Sequence, residues 1–511
     1  MTENSRTKNA MINALTGSAM QVVNVVLGFV GRTIFIYLLN SDYLGVNSLY
    51  TNILTVLSFA ELGIGSAIVF SLYKPIADQD KAKIQALMKL YRMAYRIIGG
   101  AIFILGLCVI PFMGYIIKDA PDVKENLILI YILFLVNTSV SYFYSYKKTL
   151  ITASQKDYIV QIYTRVFQLI QILLQSIFLI LTHEYIIYLI IYIVCTIGQN
   201  VALSIKADKL YPFLREKNNN KLSREETKSI FANVKALFIY KFGSVILNGT
   251  DNIIISSIIS VATVGITSNY TMLMNNVTNV IGGAINSLTA SVGNLSVKGS
   301  KDQIKNVMHQ LLMMCVWLYG FISIGFFVLV NEFVSLWIGK NYLLDQVVVF
   351  AILFSLYING VQYAAYTFRT TQGLFVQSRW IPLISAGINI VLSIWWGKSI
   401  GLTGIFIATG ISRLFTTTVV DPWLVYKNNF NKKPYDYYLK YVLETVGVVL
   451  NGIIQVRLIA IIPMLGWIGF FVKVLVICIT TNLVFLLEFG WTKDFRALSK
   501  RILPKLMSRK K

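Results

Sequence analysis

Charged residues are scarce in this chain of 511 residues, at 14%, whereas hydrophobic residues make up 56%. Soluble domains carry about a quarter charged residues, so the composition excludes a soluble multidomain enzyme. Uncharged runs recur along the whole chain, and residues 245–289 contain a single charge, Asp251. Aromatic residues, at 13%, and abundant aliphatic residues exclude a disordered chain. The sequence therefore predicts a membrane protein.

Cysteine and histidine are also rare. The four cysteines lie far apart within apolar runs, and the chain has two histidines, so neither a disulfide framework nor a metal site is expected. The sequence carries no phosphate-binding loop, zinc motif, nucleophile elbow or dinucleotide fingerprint. The predicted outer loops are too short to form a catalytic part. We therefore expect neither an enzyme nor a cofactor, and coupling to the membrane potential, H⁺ or Na⁺ is left open.

The apolar runs predict an all-α, polytopic membrane protein. A bilayer core of about 30 Å is crossed by about 20 apolar residues. The first, second, seventh and eighth runs are longer than this, so tilt, bending or a break is expected in them. Runs of sufficient length give fourteen predicted spans, at 11–39, 46–72, 94–117, 126–146, 158–181, 184–205, 231–259, 266–297, 306–330, 346–368, 380–397, 402–425, 437–462 and 464–489.

Basic residues orient these spans. With the N-terminus inside, the predicted inner segments hold 34 of the 46 Lys and Arg residues and the outer loops hold 4. This asymmetry is the positive-inside pattern, and it predicts that both termini are cytoplasmic. The net charge of +23 is then a topology signal and an attraction to anionic lipid rather than a nucleic-acid surface.

A short internal repeat relates two parts of the chain. Residues 44–51 match residues 264–271 at an offset of 220, with Gly, Ser, Tyr and Thr in common. The copies lie six predicted helices apart, so the repeats have parallel orientation. The sequence thus predicts two pseudo-symmetric six-helix lobes at 1–205 and 231–426, a cytoplasmic linker at 206–230, two additional helices at 427–490 and a basic interfacial tail at 491–511.

Charged residues inside spans mark cavities or partners. Glu61 lies near the middle of the second run, beside small residues that allow close helix approach. It is interpreted either as a proton, cation or sugar-hydroxyl site, or as a carboxyl that caps a kink. Basic residues at the inner mouth would hold a pyrophosphate, although the positive-inside bias also accounts for the lysines. The predicted cavity residues are Arg32, Glu61, Lys74, Lys147, Lys148, Lys241, Arg369 and Arg413.

Arg32 and Asp251 occupy nearly equivalent positions in the repeat. The offset of 220 aligns Arg32 with Asn252 and Asp251 with Gly31, and both charges lie in the outer third of their spans. We predict that they form a gate pair that closes the outer side. The alternative is that each charge has its own local partner.

Several segments together resemble the Wzx-type flippases for lipid-linked oligosaccharides, within the multidrug/oligosaccharidyl-lipid/polysaccharide (MOP) exporter superfamily. The chain departs from that pattern at residues 369–372, where Arg-Asn-Ala or a similar sequence would be expected, and this leaves the role of Arg369 open. The matching segments are Arg32-Thr33-Ile34-Phe35, Tyr43-Leu44-Gly45, Glu61-Leu62-Gly63-Ile64-Gly65-Ser66-Ala67-Ile68, Leu72-Tyr73-Lys74-Pro75, Gln155-Lys156-Asp157-Tyr158, Asp251-Asn252-Ile253-Ile254-Ile255-Ser256, Ser268-Asn269-Tyr270, Ser291-Val292-Gly293-Asn294-Leu295 and Gly373-Leu374-Phe375.

The resemblance implies a monomeric protein of the bacterial cytoplasmic membrane that moves undecaprenyl-pyrophosphate-linked glycan units to the outer leaflet. The pathway would be capsule, O-antigen or exopolysaccharide biosynthesis. The partners would be the lipid-linked glycan, membrane lipids and other polysaccharide-assembly membrane proteins, and no nucleic acid. Three alternatives stay open: a cation-coupled exporter of the multidrug (MATE) type, a lipid II flippase and, from another class, a membrane polysaccharide polymerase.

The gate pair is testable by charge exchange. We expect Arg32→Asp and Asp251→Arg each to abolish transport, because each leaves two like charges at the gate. The double exchange should restore transport, measured in vesicles containing equal amounts of inserted protein. Failure of the double exchange, with normal insertion of all three variants, would contradict the pairing.

Overall fold

The computed structural model describes residues 20, 23, 25–61, 64–216, 222–463 and 466–499. Within these residues the regular secondary structure is helical, which confirms the predicted all-α class. The chain divides into two compact units, one up to Gly265 and one from Ile266 onward. These units are grouped by packing, whereas the domain boundaries predicted above follow the repeat and remain a prediction.

Unit 1 contains ten helices and the beginning of an eleventh within its described residues. A 3₁₀ turn at Ser58–Glu61 separates the second helix from the third, and another at Pro212–Arg215 follows the eighth. The helices are α1 (Val25–Leu38), α2 (Ser41–Leu57), α3 (Ile64–Ala77), α4 (Lys81–Val109), α5 (Met113–Ile116), α6 (Leu127–Ala153), α7 (Asp157–Thr182), α8 (Tyr185–Leu210), α9 (Arg224–Gly249), α10 (Asp251–Ile258) and α11 (Val261–Lys298).

Unit 2 contains the rest of α11 and the helices that follow it. Its core is formed by α12 with α13, α14, α18 and α19 packed around it. The helices are α12 (Lys301–Trp337), α13 (Gln346–Val361), α14 (Tyr363–Thr371), α15 (Phe375–Ser378), α16 (Ile381–Phe415), α17 (Thr417–Phe430), α18 (Tyr435–Ala460) and α19 (Gly466–Phe489).

Helix length and composition support a polytopic membrane protein. Among the described residues, eight helices are long and apolar enough to cross a membrane, or nine if the bent α6 is one span. Only 11% of the apolar part of α7 is buried within the protein. Such an exposed apolar face needs hydrocarbon as its solvent. The predicted total of fourteen spans remains a prediction, and the run at 11–39 lies largely outside the described residues.

The longest apolar stretch, Phe375–Phe430, folds back on itself. Helical geometry ends at Ile400 and Gly401, where Gly401 adopts a φ of +64°. Asn389 Nδ2 donates a hydrogen bond to Thr409 Oγ1 at 2.9 Å, and these residues lie on opposite sides of the break. A straight helix would separate them by about 30 Å. The stretch is therefore a hairpin whose turn lies between the predicted runs 380–397 and 402–425.

The internal repeat is visible in the structure as matching helix starts. Asn40 caps α2 by accepting hydrogen bonds from the Asp42 and Tyr43 amides. Ser260, at the equivalent position 220 residues later, caps α11 by accepting from the Thr263 amide at 3.1 Å. Both side chains satisfy amides that a helix leaves free at its N-terminus. The repeat thus extends beyond the eight residues that match in sequence.

The matched glycines Gly45 and Gly265 form a reciprocal contact within unit 1. A β-carbon at Gly45 would lie 2.0 Å from the Val261 carbonyl oxygen, and one at Gly265 would lie 2.1 Å from the Ser41 carbonyl oxygen. Ser41 and Val261 are themselves 220 residues apart. The two contacts are therefore equivalent under the repeat, each glycine lying against the carbonyl that precedes the other by four residues. The α2 and α11 backbones meet here with no room for side chains.

The matched tyrosines Tyr50 and Tyr270 are fully buried, one in each unit. Tyr50 donates its hydroxyl to the Leu127 carbonyl at the start of α6, at 3.1 Å. Tyr270 donates to Asn331 Oδ1 at 2.6 Å and accepts from the Leu344 amide at 3.0 Å, just before α13. In each unit the repeat tyrosine therefore fixes the loop that leads into the fourth predicted span of its lobe.

The C-terminal helices α18 and α19 pack on α12 in unit 2. Lys473 on α19 forms an ion pair with Glu332 on α12, with nitrogen–oxygen distances of 2.9 and 3.0 Å. Part of the predicted interfacial tail also folds back: the Phe495 ring lies 5.6 Å from that of Trp317, and Asp494 pairs with Lys440. Residues 500–511 of the tail lie outside the described residues.

The contact between the two glycines leaves no room for a larger residue at position 45 or 265. Gly45→Ala or Gly265→Ala should lower the free energy of unfolding in detergent by about 3 kcal/mol, since the new methyl group overlaps a backbone carbonyl. Gly100→Ala on α4, where a β-carbon meets nothing within 4 Å, is the matched control and should unfold like the wild type. Wild-type stability in Gly45→Ala would contradict the contact.

Candidate functional site

Glu61 lies at the interruption between α2 and α3. It is the last residue of the 3₁₀ turn Ser58–Glu61, so the second predicted run does contain a break. The Tyr95 hydroxyl of α4 donates a hydrogen bond to Glu61 Oε1. A carboxylate that is partly removed from water needs such partners, because its desolvation is costly unless the charge is paired or hydrogen-bonded.

A chain of hydroxyls extends from this carboxylate. Tyr91 donates to the Tyr95 oxygen at 3.0 Å, and the Tyr91 oxygen lies 3.2 Å from Thr149 Oγ1 on α6. A β-carbon at Gly65 would lie 3.2 and 3.3 Å from the two tyrosine hydroxyls, so glycine leaves room for them. We refer to Glu61, Tyr91, Tyr95 and Thr149 as the Glu61 cluster. It links the start of α3 to α4 and α6 by polar contacts inside unit 1.

The adjacent lysines of α6 have different surroundings. Lys148 is half-buried and interacts electrostatically with Glu61. Lys147 is bound to Asp208 of α8, with its ammonium 2.7 and 2.8 Å from the two carboxylate oxygens. Arg215 lies 3.4 Å from the same carboxylate. Lys147 thus holds α6 against α8, whereas Lys148 makes no such ion pair with a described residue.

The other predicted cavity residues of unit 1 are distributed over different helices. Lys74 is exposed near the end of α3. Arg32 on α1 is half-buried and interacts electrostatically with Tyr188 of α8. Lys241 on α9 and Asp251, the first residue of α10, are also half-buried. The gate pairing of Arg32 with Asp251 stays a prediction.

In unit 2, Arg369 is paired with Asp421, which the sequence analysis did not include among the cavity residues. Arg369 on α14 is 2% exposed, and its Nε lies 3.2 Å from Oδ1 of Asp421 on α17. Gln362 Nε2 donates to the other carboxylate oxygen at 3.4 Å. The guanidinium also lies over the Tyr366 ring, 5.1 Å from its centre. In the sequence, Asp421 is recognisable only as a carboxylate within a predicted span, directly before Pro422.

Arg413 lies in the second arm of the α16 hairpin and is 9% exposed. Its Nη1 donates a hydrogen bond to Asn359 Oδ1 on α13. The first arm adds Asn389, which bonds to Thr409 and Ser393. The polar interior of this hairpin therefore includes amides and hydroxyls, which are neutral partners for a buried guanidinium.

A hydrogen-bonded network around His309 links α12, α17 and α18 in unit 2. Lys440 Nζ lies 2.9 Å from His309 Nδ1, and His309 Nε2 lies 2.9 Å from the Tyr426 hydroxyl. Because an ammonium group only donates, Nδ1 accepts and the proton is on Nε2. Tyr426 then donates to Asp436 at 3.2 Å, and Lys305 binds the same carboxylate at 2.7 Å. No sequence signal reveals this network, since its members are separated by up to 135 residues.

An apolar groove of about 330 Å³ lies between α11, α12 and α19. Its walls carry no exposed polar surface. Gly325 contributes to its floor, and a β-carbon there would lie 3.9 Å from Ile477. The groove is lined by Leu273, Val277, Phe321, Ile322, Gly325, Phe326, Leu329, Val330, Phe333, Phe470, Val474, Ile477 and Cys478.

Breaking the Arg369–Asp421 pair should strongly reduce the stability of the protein. Arg369→Gln or Asp421→Asn should each lower the free energy of unfolding by about 3–5 kcal/mol, because one buried charge is left alone. The double variant Arg369→Met/Asp421→Leu should lose less than either single variant. Arg379→Gln, at an exposed position near α15, should change stability by about 0.5 kcal/mol or less. Equal stability of all four proteins in detergent would contradict the pairing.

The fold is similar to that of solved transporters. The lipid II flippase MurJ, in an inward closed conformation, matches with a TM-score of 0.65 and 14% identity, covering 94% of this chain and 99% of that chain. An inward-facing multidrug resistance MATE family transporter of the MOP superfamily matches with a TM-score of 0.62 and 12% identity, covering 78% and 93%. A mutant of the Vibrio cholerae MATE transporter VcmN matches with a TM-score of 0.54 and 13% identity, covering 83% and 98%.

No protein-family model and no curated protein matches the sequence. At identities of 12–14% the likeness is one of architecture. It shows that this chain has the fold of the MOP-superfamily transporters.

Proposed function

We propose that the protein is a flippase that carries pyrophosphate-linked oligosaccharide lipids across the cytoplasmic membrane. The observation that carries this proposal is the extent of the match to the lipid II flippase, which spans nearly the whole length of both chains. That protein is named for moving lipid II, which is a polyprenyl-pyrophosphate glycan. A Wzx-type substrate has the same chemical plan of polyprenyl chain, pyrophosphate and sugar.

The MATE-type alternative is less well supported, because those structures match a smaller share of the chain. They cover 78–83% of it, against 94% for the lipid II flippase. A drug exporter for cations also favours an acidic cavity, whereas the charges in the predicted spans are mostly basic.

The pyrophosphate would be held by cations that are not already committed to structural ion pairs. Lys147 is bound to Asp208 and Arg369 to Asp421, so we do not assign the pyrophosphate to either in this conformation. Lys74, which is exposed, and Lys148, which is half-buried, are the remaining candidates in that part of unit 1. A phosphate that approaches Lys148 would form a charge-assisted hydrogen bond with its ammonium group.

The Glu61 cluster supplies further groups suited to this substrate. Tyr95 donates to the carboxylate, Tyr91 and Thr149 continue the chain of hydroxyls, and hydroxyls both donate to and accept from sugars. The Glu61 carboxylate, now bonded to Tyr95, would accept a hydrogen bond from a sugar hydroxyl, or a proton. The coupling of transport to H⁺, Na⁺ or the membrane potential is thus proposed to act at this residue.

The apolar groove between α11, α12 and α19 suits the isoprenoid chain. A wholly apolar wall offers no hydrogen bonds but accommodates methyl and methylene groups. In the proposed cycle the glycan crosses within the protein, by alternating access, while the lipid chain stays in hydrocarbon. No covalent bond is made or broken, so no catalytic residue is assigned.

The experiment is a flipping assay in proteoliposomes. Three probes are compared: a fluorescent undecaprenyl-pyrophosphate oligosaccharide, fluorescent lipid II and a fluorescent quaternary ammonium drug. We expect protein-dependent movement of the oligosaccharide lipid, detected by loss of fluorescence to an impermeant quencher. Movement of lipid II alone favours the lipid II flippase, and uptake of the drug alone favours a MATE-type exporter.

Two single substitutions, one on α6 and one on α8, test the role of Lys148 in the same assay. Lys148→Gln should slow flipping at least about tenfold, because one good charge-assisted contact to phosphate contributes about 1.5–3 kcal/mol. Lys209→Gln is the matched control, since it removes an exposed lysine of α8 and should leave the rate unchanged. Equal rates for both variants would remove Lys148 from the proposed site.

A further inference from the structure

A groove of about 510 Å³ lies at one end of unit 1, where α3, α6 and α8 end and α4 and α7 begin. Apolar side chains form most of its wall, and two lysines stand among them. In the predicted topology this end faces the cytoplasm. The groove is lined by Tyr73, Ile76, Ala77, Gln79, Lys81, Ile84, Leu150, Ala153, Ser154, Gln155, Lys156, Tyr211 and Phe213.

The two lysines are held at helix starts by tight turns. Gln79 and Gln155 adopt positive φ angles of 56° and 61°, and each reverses the chain just before a helix. Lys81 is the first residue of α4, and Lys156 directly precedes α7. The N-terminal ends of both helices therefore add their partial positive charge to the lysines.

These two ammonium groups are not neutralised by carboxylates. Neither Lys81 nor Lys156 forms an ion pair with another described residue, and the Lys156 ammonium lies over the Tyr211 ring, 5.8 Å from its centre. Lys83, two residues further along α4, differs, because it binds Glu226 at 2.5 Å. The groove thus keeps two available cations.

Two of the nearby carboxylates, Asp80 and Asp157, accept hydrogen bonds from neighbouring residues, and a third, Asp78, is exposed. Asp80 caps α4 by accepting a hydrogen bond from the Lys83 amide at 2.9 Å. Asp157 accepts from Thr152 Oγ1 at 2.8 Å and from Gln161 Nε2 at 2.7 Å. None of the three carboxylates lines the groove. The charged side chains that line the groove itself are therefore the two lysines.

We propose that this groove binds the phosphate head group of an anionic phospholipid. Lys81 and Lys156 hold the phosphate, while Ile76, Ile84 and Leu150 contact the first methylene groups of the acyl chains. The volume fits a small head group but not a pyrophosphate that carries a folded oligosaccharide. The proposal does not depend on the transported substrate, because it concerns lipid of the surrounding leaflet.

The test measures lipid binding to the full-length protein in detergent by native mass spectrometry. Phosphatidylglycerol and phosphatidylcholine with identical acyl chains are titrated separately. We expect one phosphatidylglycerol to bind preferentially. Lys81→Gln and Lys156→Gln should each weaken its binding about fivefold, and the double variant about thirtyfold, as expected for basic residues beside an anionic lipid.

The control is the double variant Lys89→Gln/Lys209→Gln, which removes two exposed lysines of α4 and α8 that do not line the groove. It should bind phosphatidylglycerol like the wild type, and all variants should share the wild-type unfolding temperature. The proposal is overturned if the control pair loses as much affinity, if phosphatidylcholine binds equally well, or if the affinity of Lys81→Gln/Lys156→Gln is unchanged.

Two further probes identify other occupants. Preferential binding of undecaprenyl pyrophosphate without phosphatidylglycerol would assign the groove to transport substrate and overturn the proposal. Competition by inorganic phosphate at concentrations similar to those of the lipid would show a site for free anions, which also overturns it. Lysine-dependent binding of phosphatidylglycerol in a protein that fails the flipping assay would still support the lipid site.

Discussion

The backbone contact at Gly45 and Gly265 is the constraint on which the described architecture of unit 1 depends. Two helices can approach this closely only where neither carries a side chain, and the interaction then consists of van der Waals contact between backbones. The caps at Asn40 and Ser260 start both helices five residues earlier. Cap, glycine and buried tyrosine recur at the same spacing, so the repeat is a structural unit rather than a coincidence of eight residues.

Charge pairing is the second constraint. The pairs Lys147–Asp208, Arg369–Asp421 and Lys473–Glu332 each join two helices of one unit. In a medium of low dielectric constant, separation of such a pair is expensive unless another partner replaces the one that is lost. These pairs therefore favour particular helix arrangements, and a rearrangement is favoured when a phosphate or another charge takes over a released cation.

Several polar side chains lie at or next to breaks in the helices, where the regular backbone hydrogen bonding of a helix is interrupted. The 3₁₀ turn at Ser58–Glu61 holds a carboxylate, and the break at Ile400–Gly401 forms the turn of the α16 hairpin. The short helices α14 and α17, which follow breaks at Gln362 and Thr416, are joined by Arg369 and Asp421. Broken helices are tolerated in a membrane protein only where the freed polar groups find partners in the protein or a cavity. The helix breaks and the polar clusters therefore occur together in this structure.

The membrane class, the helical fold and the repeat were predictable from the chain alone, because apolar run length and short matching segments are local properties. The excess length of the second run predicted tilt, bending or a break, and the division between the runs 380–397 and 402–425 predicted a turn near residue 400. The partners of the charged residues were not predictable: Asp421 for Arg369, Asp208 for Lys147 and Tyr95 for Glu61 emerge from the folded structure. Such partners come from helices distant in sequence, and their distances depend on how those helices pack. Composition could therefore identify basic residues but could not distinguish those held in ion pairs from those left available to bind a phosphate.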